Sequence, residues 1–298
     1  MTSKSTAQQK YAIRAKSVAA RYDEGDVISG INFDVNRGET FGLMGLNGAG
    51  KTTFIKILLG LMEPSMGAVE IEGKTTIDPE TKYKIAYLPE KFEPPSFLTG
   101  MEFVRFSLKL YKKDFNEQKV LQAADRLALD RAALYRRVHT YSKGMRQKIG
   151  LLGTLLTKCP LMILDEPMSG LDPRARARVK DEILSCRKRG ITVFLSSHIL
   201  ADMDELCDKV GVIHDGKLKF VGTPKALKSK GFSPVDIKID ARNDVALVIA
   251  RRNGFCPYCV FLLRCRFRSH RAGSPLEILY YTVVILINVK GPCHRLQA

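Results

Sequence analysis

The sequence predicts an α/β protein: a mostly parallel sheet covered by helices, preceded by an antiparallel N-terminal β subdomain and interrupted by an α-helical insertion. Three observations carry this. Short apolar runs that read as strands alternate with helical patterns. Polar residues gather at the carboxyl ends of those strands, and the stretch between roughly 89 and 158 is helical without a convincing strand. At 298 residues the chain is long enough to bury a sizeable core in one large domain or two small ones.

In chain order, Ile31, Phe33 and Val35 alternate with polar residues and lead through the turn Asn36–Glu39 into a second apolar run, Thr40 to Met44. A glycine-rich stretch, GLNGAGKTT, follows, and then Phe54, Ile55, Ile57, Leu58 and Leu61 form a stripe at helical spacing. In the helical insertion, Thr99 and Glu102 make a capping box before Phe103, Val104, Phe106 and Leu108. Leu161 to Leu164 reads as a buried strand ending at Asp165 and Glu166. Asp172 caps a helix that begins at Pro173 and stops at Gly190. Ile191 to Leu195 is a further strand, ending in Ser196-Ser197-His198 before a helix from about 199 to 207.

Composition narrows the class. Hydrophobic residues at 45% and charged residues at 27% exclude a disordered or collagen-like chain. The longest apolar run, 278–289, is shorter than the ~18 to 20 residues of a membrane-spanning helix, and the polar N-terminus resembles no secretory signal, so a cytoplasmic location is expected. A net charge of +17 favours an anionic partner: nucleotide, nucleic acid or the anionic inner leaflet. Cys159, Cys186 and Cys207 read as buried small hydrophobes in a reducing compartment.

The chemistry begins at Gly45-Leu46-Asn47-Gly48-Ala49-Gly50-Lys51-Thr52, which matches the phosphate-binding loop GxxxxGK[ST] of P-loop NTPases. Its glycines let successive N–H groups, Thr53 included, converge on phosphate oxygens at the positive end of the following helix. Lys51 is expected on the β- and γ-phosphates and the Thr52 hydroxyl on Mg²⁺. Asp165 can hold Mg²⁺, directly or through water, while Glu166 can polarise the water that attacks the γ-phosphorus. His198, at the end of a neighbouring strand, can bond the γ-phosphate and that water.

The ordered series of phosphate loop, Tyr141-Ser142-Lys143-Gly144-Met145-Arg146-Gln147, LDEP, Ser169-Gly170-Leu171-Asp172 and His198 resembles the nucleotide-binding subunit of an ABC transporter, over about residues 11–225. The resemblance implies a head-to-tail homodimer or heterodimer of ATPase subunits that sandwiches two ATP molecules. Ser142 and Gly144 would then donate to the γ-phosphate of the partner's site, and Asp172 would lie in the loop coupling the two sites. Tyr22, 23 residues before Gly45, sits where the family stacks an aromatic ring on adenine; an ordinary strand tyrosine is the competing reading.

Two departures stand out. The signature reads YSKGM rather than LSGGQ, a variant similar to drug and sodium exporter ATPases. Glu90 occupies the position where the family generally has a glutamine that senses Mg²⁺ and the permease.

The function implied is an ATP-hydrolysing subunit, dependent on Mg²⁺, that energises a separately encoded polytopic permease from the inner face of the membrane, as an exporter, with no nucleic acid expected. The alternative is a soluble ABC-type ATPase acting on a protein or nucleic-acid assembly. Residues 92–98 (FEPPSFL) read either as the groove for a permease helix or as a simple linker.

The organisation expected is a tail (1–10), an ATPase domain (11–230, with its helical part about 90–158) and an atypical segment (231–298). Lysine falls from 25 in residues 1–240 to 1 in 241–298, where only Asp244 and Glu277 are acidic. That shift suggests a degraded or frame-shifted end. A zinc site from Cys256, Cys259, Cys265 and Cys293 fits no common finger spacing.

Overall fold

The computed structural model describes residues 11–22, 25–229, 246–249 and 260–263. The tail 1–10, most of the segment after 230 and the four cysteines of the zinc reading lie outside the described residues. The chain divides into two compact units, 1–225 and 226–298.

The larger unit opens with the antiparallel strands β1 (Tyr11–Tyr22) and β2 (Gly25–Asn36). Then follow β3 (Thr40–Met44), α1 (Lys51–Leu58), β4 (Met66–Ile71), β5 (Lys74–Thr75), α2 (Pro79–Lys82) and β6 (Ile85–Leu88). The helical insertion comprises α3 (Gly100–Leu110), α4 (Glu117–Arg126), two short 3₁₀ turns and α5 (Lys143–Leu156). The chain continues through β7 (Leu161–Asp165), α6 (Pro173–Lys188), β8 (Thr192–Ser197), α7 (Leu200–Leu206), β9 (Lys209–His214), β10 (Lys217–Gly222) and α8 (Pro224–Ser229). In the smaller unit, β11 (Ala246–Ile249) and β12 (Val260–Leu263) pair antiparallel, Ala246 opposite Leu263.

Two sheets build the larger unit. The first, antiparallel throughout, runs β2-β1-β4-β5; the second runs β10-β9-β3-β8-β7-β6 and is parallel except for the β9/β10 edge hairpin. Strands β3, β7 and β8 are buried along their whole lengths, which explains why they read as continuous apolar runs rather than alternating ones. Where the two sheets face each other, the rings of Phe33 and Phe41 stack at 4.6 Å, with Phe54 from α1 and Phe194 from β8 completing an aromatic cluster. This core fixes α1 against the sheet, and α1 begins at the end of the phosphate loop.

Local chemistry sets the boundaries. The Thr99/Glu102 capping box forms as expected: the Thr99 N–H donates to Glu102 Oε2 (2.8 Å) and the Glu102 N–H to Thr99 Oγ1 (3.2 Å). Asp172 caps α6 by accepting from the Ala175 N–H (2.9 Å), Pro173 opens the helix, and Gly190 lies just beyond its end with φ +76°.

Two details of the apolar patterns differ from expectation. Helix α1 stops at Leu58 and Gly60 (φ +63°) turns the chain, so Leu61 is exposed rather than part of the buried stripe. On α3, Phe103, Val104 and Leu108 are buried while Phe106 is half exposed, because position 106 rotates away from the face that packs on α5. Cys159, Cys186 and Cys207 are buried free thiols. Among the described residues no helix is long and apolar enough to cross a membrane.

Candidate nucleotide-binding site

The phosphate loop leaves β3 at Met44 and enters α1 at Lys51, between the carboxyl end of a central parallel strand and a helix N-terminus. Its glycines have different reasons. A Cβ on Gly45 would fall 2.7 Å from the Ile213 carbonyl oxygen, so the loop's start is pressed against β9. Gly50 adopts φ +107°, and its Cβ would fall 2.5 Å from Ile28 Cγ2. Gly48 also has positive φ, and nothing stands within 4 Å of where its Cβ would be. The Ala49 N–H closes a turn to the Leu46 carbonyl (3.1 Å), and the Gly216 N–H donates to the Ala49 carbonyl (3.2 Å), tying the loop to the β9/β10 hairpin.

Lys51 is buried beneath this loop. Its Nζ donates to the carbonyls of Gly45 (2.7 Å) and Leu46 (3.2 Å) and stands 3.9 Å from Glu166 Oε1. Thr52 and Thr53 follow in the first turn of α1, Thr52 exposed and Thr53 buried. Asn47 is exposed at the loop's crest, between Leu46 and Gly48.

Two neighbouring strand ends supply the acids and the imidazole. Asp165 is the last residue of β7, and Ser196 lies opposite it on β8. The Ser196 hydroxyl donates to Asp165 Oδ1 (2.5 Å) while its oxygen accepts from the Glu166 N–H (2.9 Å). Glu166 takes φ +46°, which turns its side chain out of the strand path. Its two carboxylate oxygens each stand 3.1 Å from His198 Nδ1, one residue beyond β8. Burial pushes the Asp165 carboxyl above the usual carboxylate range, against the Ser196 bond that pulls it down, with the charges of Glu90 and Glu166 adding to the rise. Burial also raises the Tyr87 phenol to about 12, reinforced by Asp165 and Glu90, so Glu90 shares the electrostatic surroundings of Asp165 at the end of β6.

The structure thus gathers Lys51, Asp165, Glu166 and His198 around the phosphate loop, with the exposed Glu90 near by. The signature residues form a separate group. Ser142 caps α5, accepting from the Met145 N–H (3.3 Å), and Gly144 follows in the first turn. A Cβ built on Gly144 would lie 3.5 Å from the Gly170 carbonyl, and one on Gly170 would lie 3.0 Å from Lys143 Cε. The signature therefore rests against the loop that leads to Asp172 of the same chain. Tyr22 ends β1 opposite Gly25, 43% exposed.

Ser196 went unassigned by sequence reasoning. The available signal was two adjacent serines at the end of a run whose other members are all apolar or β-branched, in a strand buried on both faces.

The donor set suits MgATP. A loop rich in N–H groups at a helix N-terminus, with a buried ammonium, matches a polyphosphate. A hydroxyl (Thr52) and carboxylates (Asp165, Glu90) are hard oxygen ligands of the kind Mg²⁺ takes, and the raised carboxyl of Asp165 is one that a cation would relieve.

Such a site, on this pair of sheets with this helical insertion, is that of a P-loop nucleotide-binding domain of the ABC type. Comparison with known proteins agrees: the ABC transporter family profile matches residues 28–169. The linearmycin resistance ATP-binding protein LnrL of Bacillus subtilis is 32% identical over 248 residues, 80% of this chain and 78% of the relative. A fluoroquinolones export ATP-binding protein of Mycobacterium tuberculosis is 37% identical over 223 residues, 72% of each. An uncharacterized ABC transporter ATP-binding protein of Synechocystis is 40% identical over 196 residues, and there the chain spans only 55% of the relative's length. Among solved structures, an ATP-binding subunit of an ABC transporter superposes with TM-score 0.69 at 33% identity, covering 73% of this chain and 92% of that one. A dimeric bacterial ABC transporter cassette, at TM-score 0.66 and 21% identity, shares the fold, covering 71% of this chain and 98% of its own. The chain belongs to the ABC transporter ATP-binding proteins.

Proposed function

We propose that this chain binds and hydrolyses MgATP to energise a separately encoded polytopic membrane permease, as an exporter, from the inner face of the cell membrane. The observation that carries the hydrolytic part is the Glu166–His198 pair, 3.1 Å apart at the ends of adjacent strands, with Glu166 3.9 Å from Lys51 of the phosphate loop.

In this reading the loop N–H groups of residues 45–53 and the Lys51 ammonium hold the phosphates and neutralise charge as it develops. Glu166 accepts the proton of the attacking water, and His198 orients that carboxylate and bonds the γ-phosphate. Thr52, Asp165 and Glu90 would hold Mg²⁺, which supplies positive charge against the phosphate oxygens. Tyr22 stacks on adenine. Ser142 and Gly144 serve the ATP of a second subunit, identical or not, with Asp172 between the two sites.

The exporter reading is supported by relatives whose names specify fluoroquinolone export and linearmycin resistance. Phe97, 70% exposed in the loop before α3, suits contact with a permease helix. The domain boundaries proposed are an ATPase domain over 11–230, with its helical part at about 90–158, and a separate segment from 231 onward.

The test has two arms on the full chain. Phosphate release from ATP should require Mg²⁺ and vanish with a chelator. Affinity purification from solubilised membranes should bring a polytopic protein along. No Mg²⁺-dependent release overturns the hydrolytic reading; release without any polytopic companion overturns the transport reading.

A further inference from the structure

Helices α6 and α7 are joined by a buried ionic cluster that the hydrolytic scheme leaves unused. Asp202 is 3% exposed; its Oδ2 accepts from Arg176 Nη2 at 2.7 Å, and Lys180 Nζ stands 3.0 Å from its Oδ1. Arg176 and Lys180 lie one turn apart on α6, whereas Asp202 occupies the first turn of α7. A carboxylate so far removed from water is tolerated because two cations meet it, and removing one partner leaves it undercompensated.

The placement of the cluster is informative. Arg176 follows Asp172, the cap of α6, by four residues, and Asp202 follows His198 by four. The ion pair therefore ties the helix that begins at the Asp172 loop to the helix that begins beside the imidazole. Between them lies a cavity of about 220 Å³ bordered by Glu166, residues 167–171 and His198, and walled by Arg176 and Asp202. Dispersion contacts fix side chains in a close-packed interior, and a cavity forfeits them on one side. The start of α7 is held by one bond between neutral groups, the Ile199 N–H donating to Ser197 Oγ at 3.1 Å. Leu200, Met203 and Leu206 bury the apolar face of α7, and the ionic link is what ties its polar face to α6.

We propose that Arg176 and Asp202 are positioning residues for hydrolysis, the pair locking α7 to α6 so that the His198 imidazole stays on the Glu166 carboxylate. The proposal rests on the reading of Glu166 and His198 as the hydrolytic pair. Arg176 touches no reacting atom; it acts through α7, and Lys180, which also meets Glu205, is the second cation on Asp202.

A double-mutant cycle on the full chain tests this. Arg176→Ala, Asp202→Asn, His198→Ala and the two combinations with His198→Ala are compared for kcat and KM, using labelled phosphate release for the slow variants. Arg176→Ala and Asp202→Asn should each lower kcat by about 10- to 100-fold, the range for a misplaced catalytic group, with KM for MgATP within about twofold. In the His198→Ala background either change should alter kcat by less than about twofold, because the group being positioned is already gone.

Losses that multiply in the double variants would overturn the proposal. So would a lowered melting temperature with unchanged kcat, since the cluster would then be structural only. Asp202→Asn keeps the side chain's shape and provides the same reading if Arg176→Ala does not fold. Failure of the hydrolytic reading shows separately, as absence of Mg²⁺-dependent turnover in the wild-type chain.

Discussion

Replacing Ser196 by alanine should be among the costliest single-oxygen deletions in this protein. The hydroxyl is fully buried, donates to the Asp165 carboxylate at 2.5 Å and holds the Glu166 N–H at 2.9 Å. A hydrogen bond to a charged group contributes about 1.5–3 kcal/mol, and a buried N–H left without an acceptor costs about 1–3 kcal/mol. The two losses share one site and do not add fully, so about 3 kcal/mol is expected. At about 2–4 °C per kcal/mol for a domain of this size, the melting temperature should fall by about 6–12 °C. Ser197→Ala is the internal control. Its hydroxyl is also buried but accepts from the Ile199 N–H (3.1 Å), a bond that involves no charged group, so a loss of about 1 kcal/mol, or about 2–4 °C, is expected. Differential scanning calorimetry without nucleotide separates the two. The Ser196 variant should also need more Mg²⁺ for half-maximal turnover, because Asp165 loses the bond that favours its charged form. A melting temperature no lower in Ser196→Ala than in Ser197→Ala would refute the role assigned to this hydroxyl.

Asp165→Asn should raise the melting temperature at pH 8 while removing Mg²⁺-dependent turnover, since burial disfavours the charged form and an amide oxygen can still accept from Ser196; calorimetry showing a clear loss of stability would contradict this. Gly50→Ala should weaken ATP binding by more than about tenfold in equilibrium titration with a fluorescent analogue, because φ +107° disfavours a side chain and the new methyl meets Ile28. The Thr99 bonds hold the Glu102 carboxyl below its ordinary value of 4.5, so its contribution is complete above that pH and fades as pH falls through the lowered value. The melting-temperature gap between wild type and Glu102→Gln should accordingly close on acidification; a gap that widens would reverse the sign. Phe97→Asp should reduce sedimentation with membranes more than basal ATP turnover, and equal loss of both would indicate misfolding instead.

Much of the site was legible because backbone and chemistry coincide in one stretch of chain. The strand β3, the loop 45–52 and the helix α1 are adjacent in sequence, and a buried central strand shows itself as an unbroken apolar run such as Leu161–Leu164. Asp172 and Gly190 announced the ends of α6, and Thr99 the start of α3, through capping chemistry that acts within four residues. Long-range pairings left no such trace. Nothing local says that Ser196 meets Asp165 from the adjacent strand, or that Asp202 meets Arg176 from another helix, because each bond depends on which strands and helices become neighbours. Leu61 failed for the opposite reason: its spacing fitted the helix, but Gly60 ended the helix first.

The central claim is that Glu166 takes the proton of the attacking water. Glu166→Gln preserves the shape of the side chain and can still bond His198, so ATP binding should stay within about twofold of wild type while turnover falls by about 10²- to 10⁴-fold, the contribution of a positioned general base. Measured side by side on the full chain with Mg²⁺, that split is the result expected, accompanied by accumulation of ATP-bound dimers. Turnover in Glu166→Gln equal to wild type, with binding intact, would contradict the account.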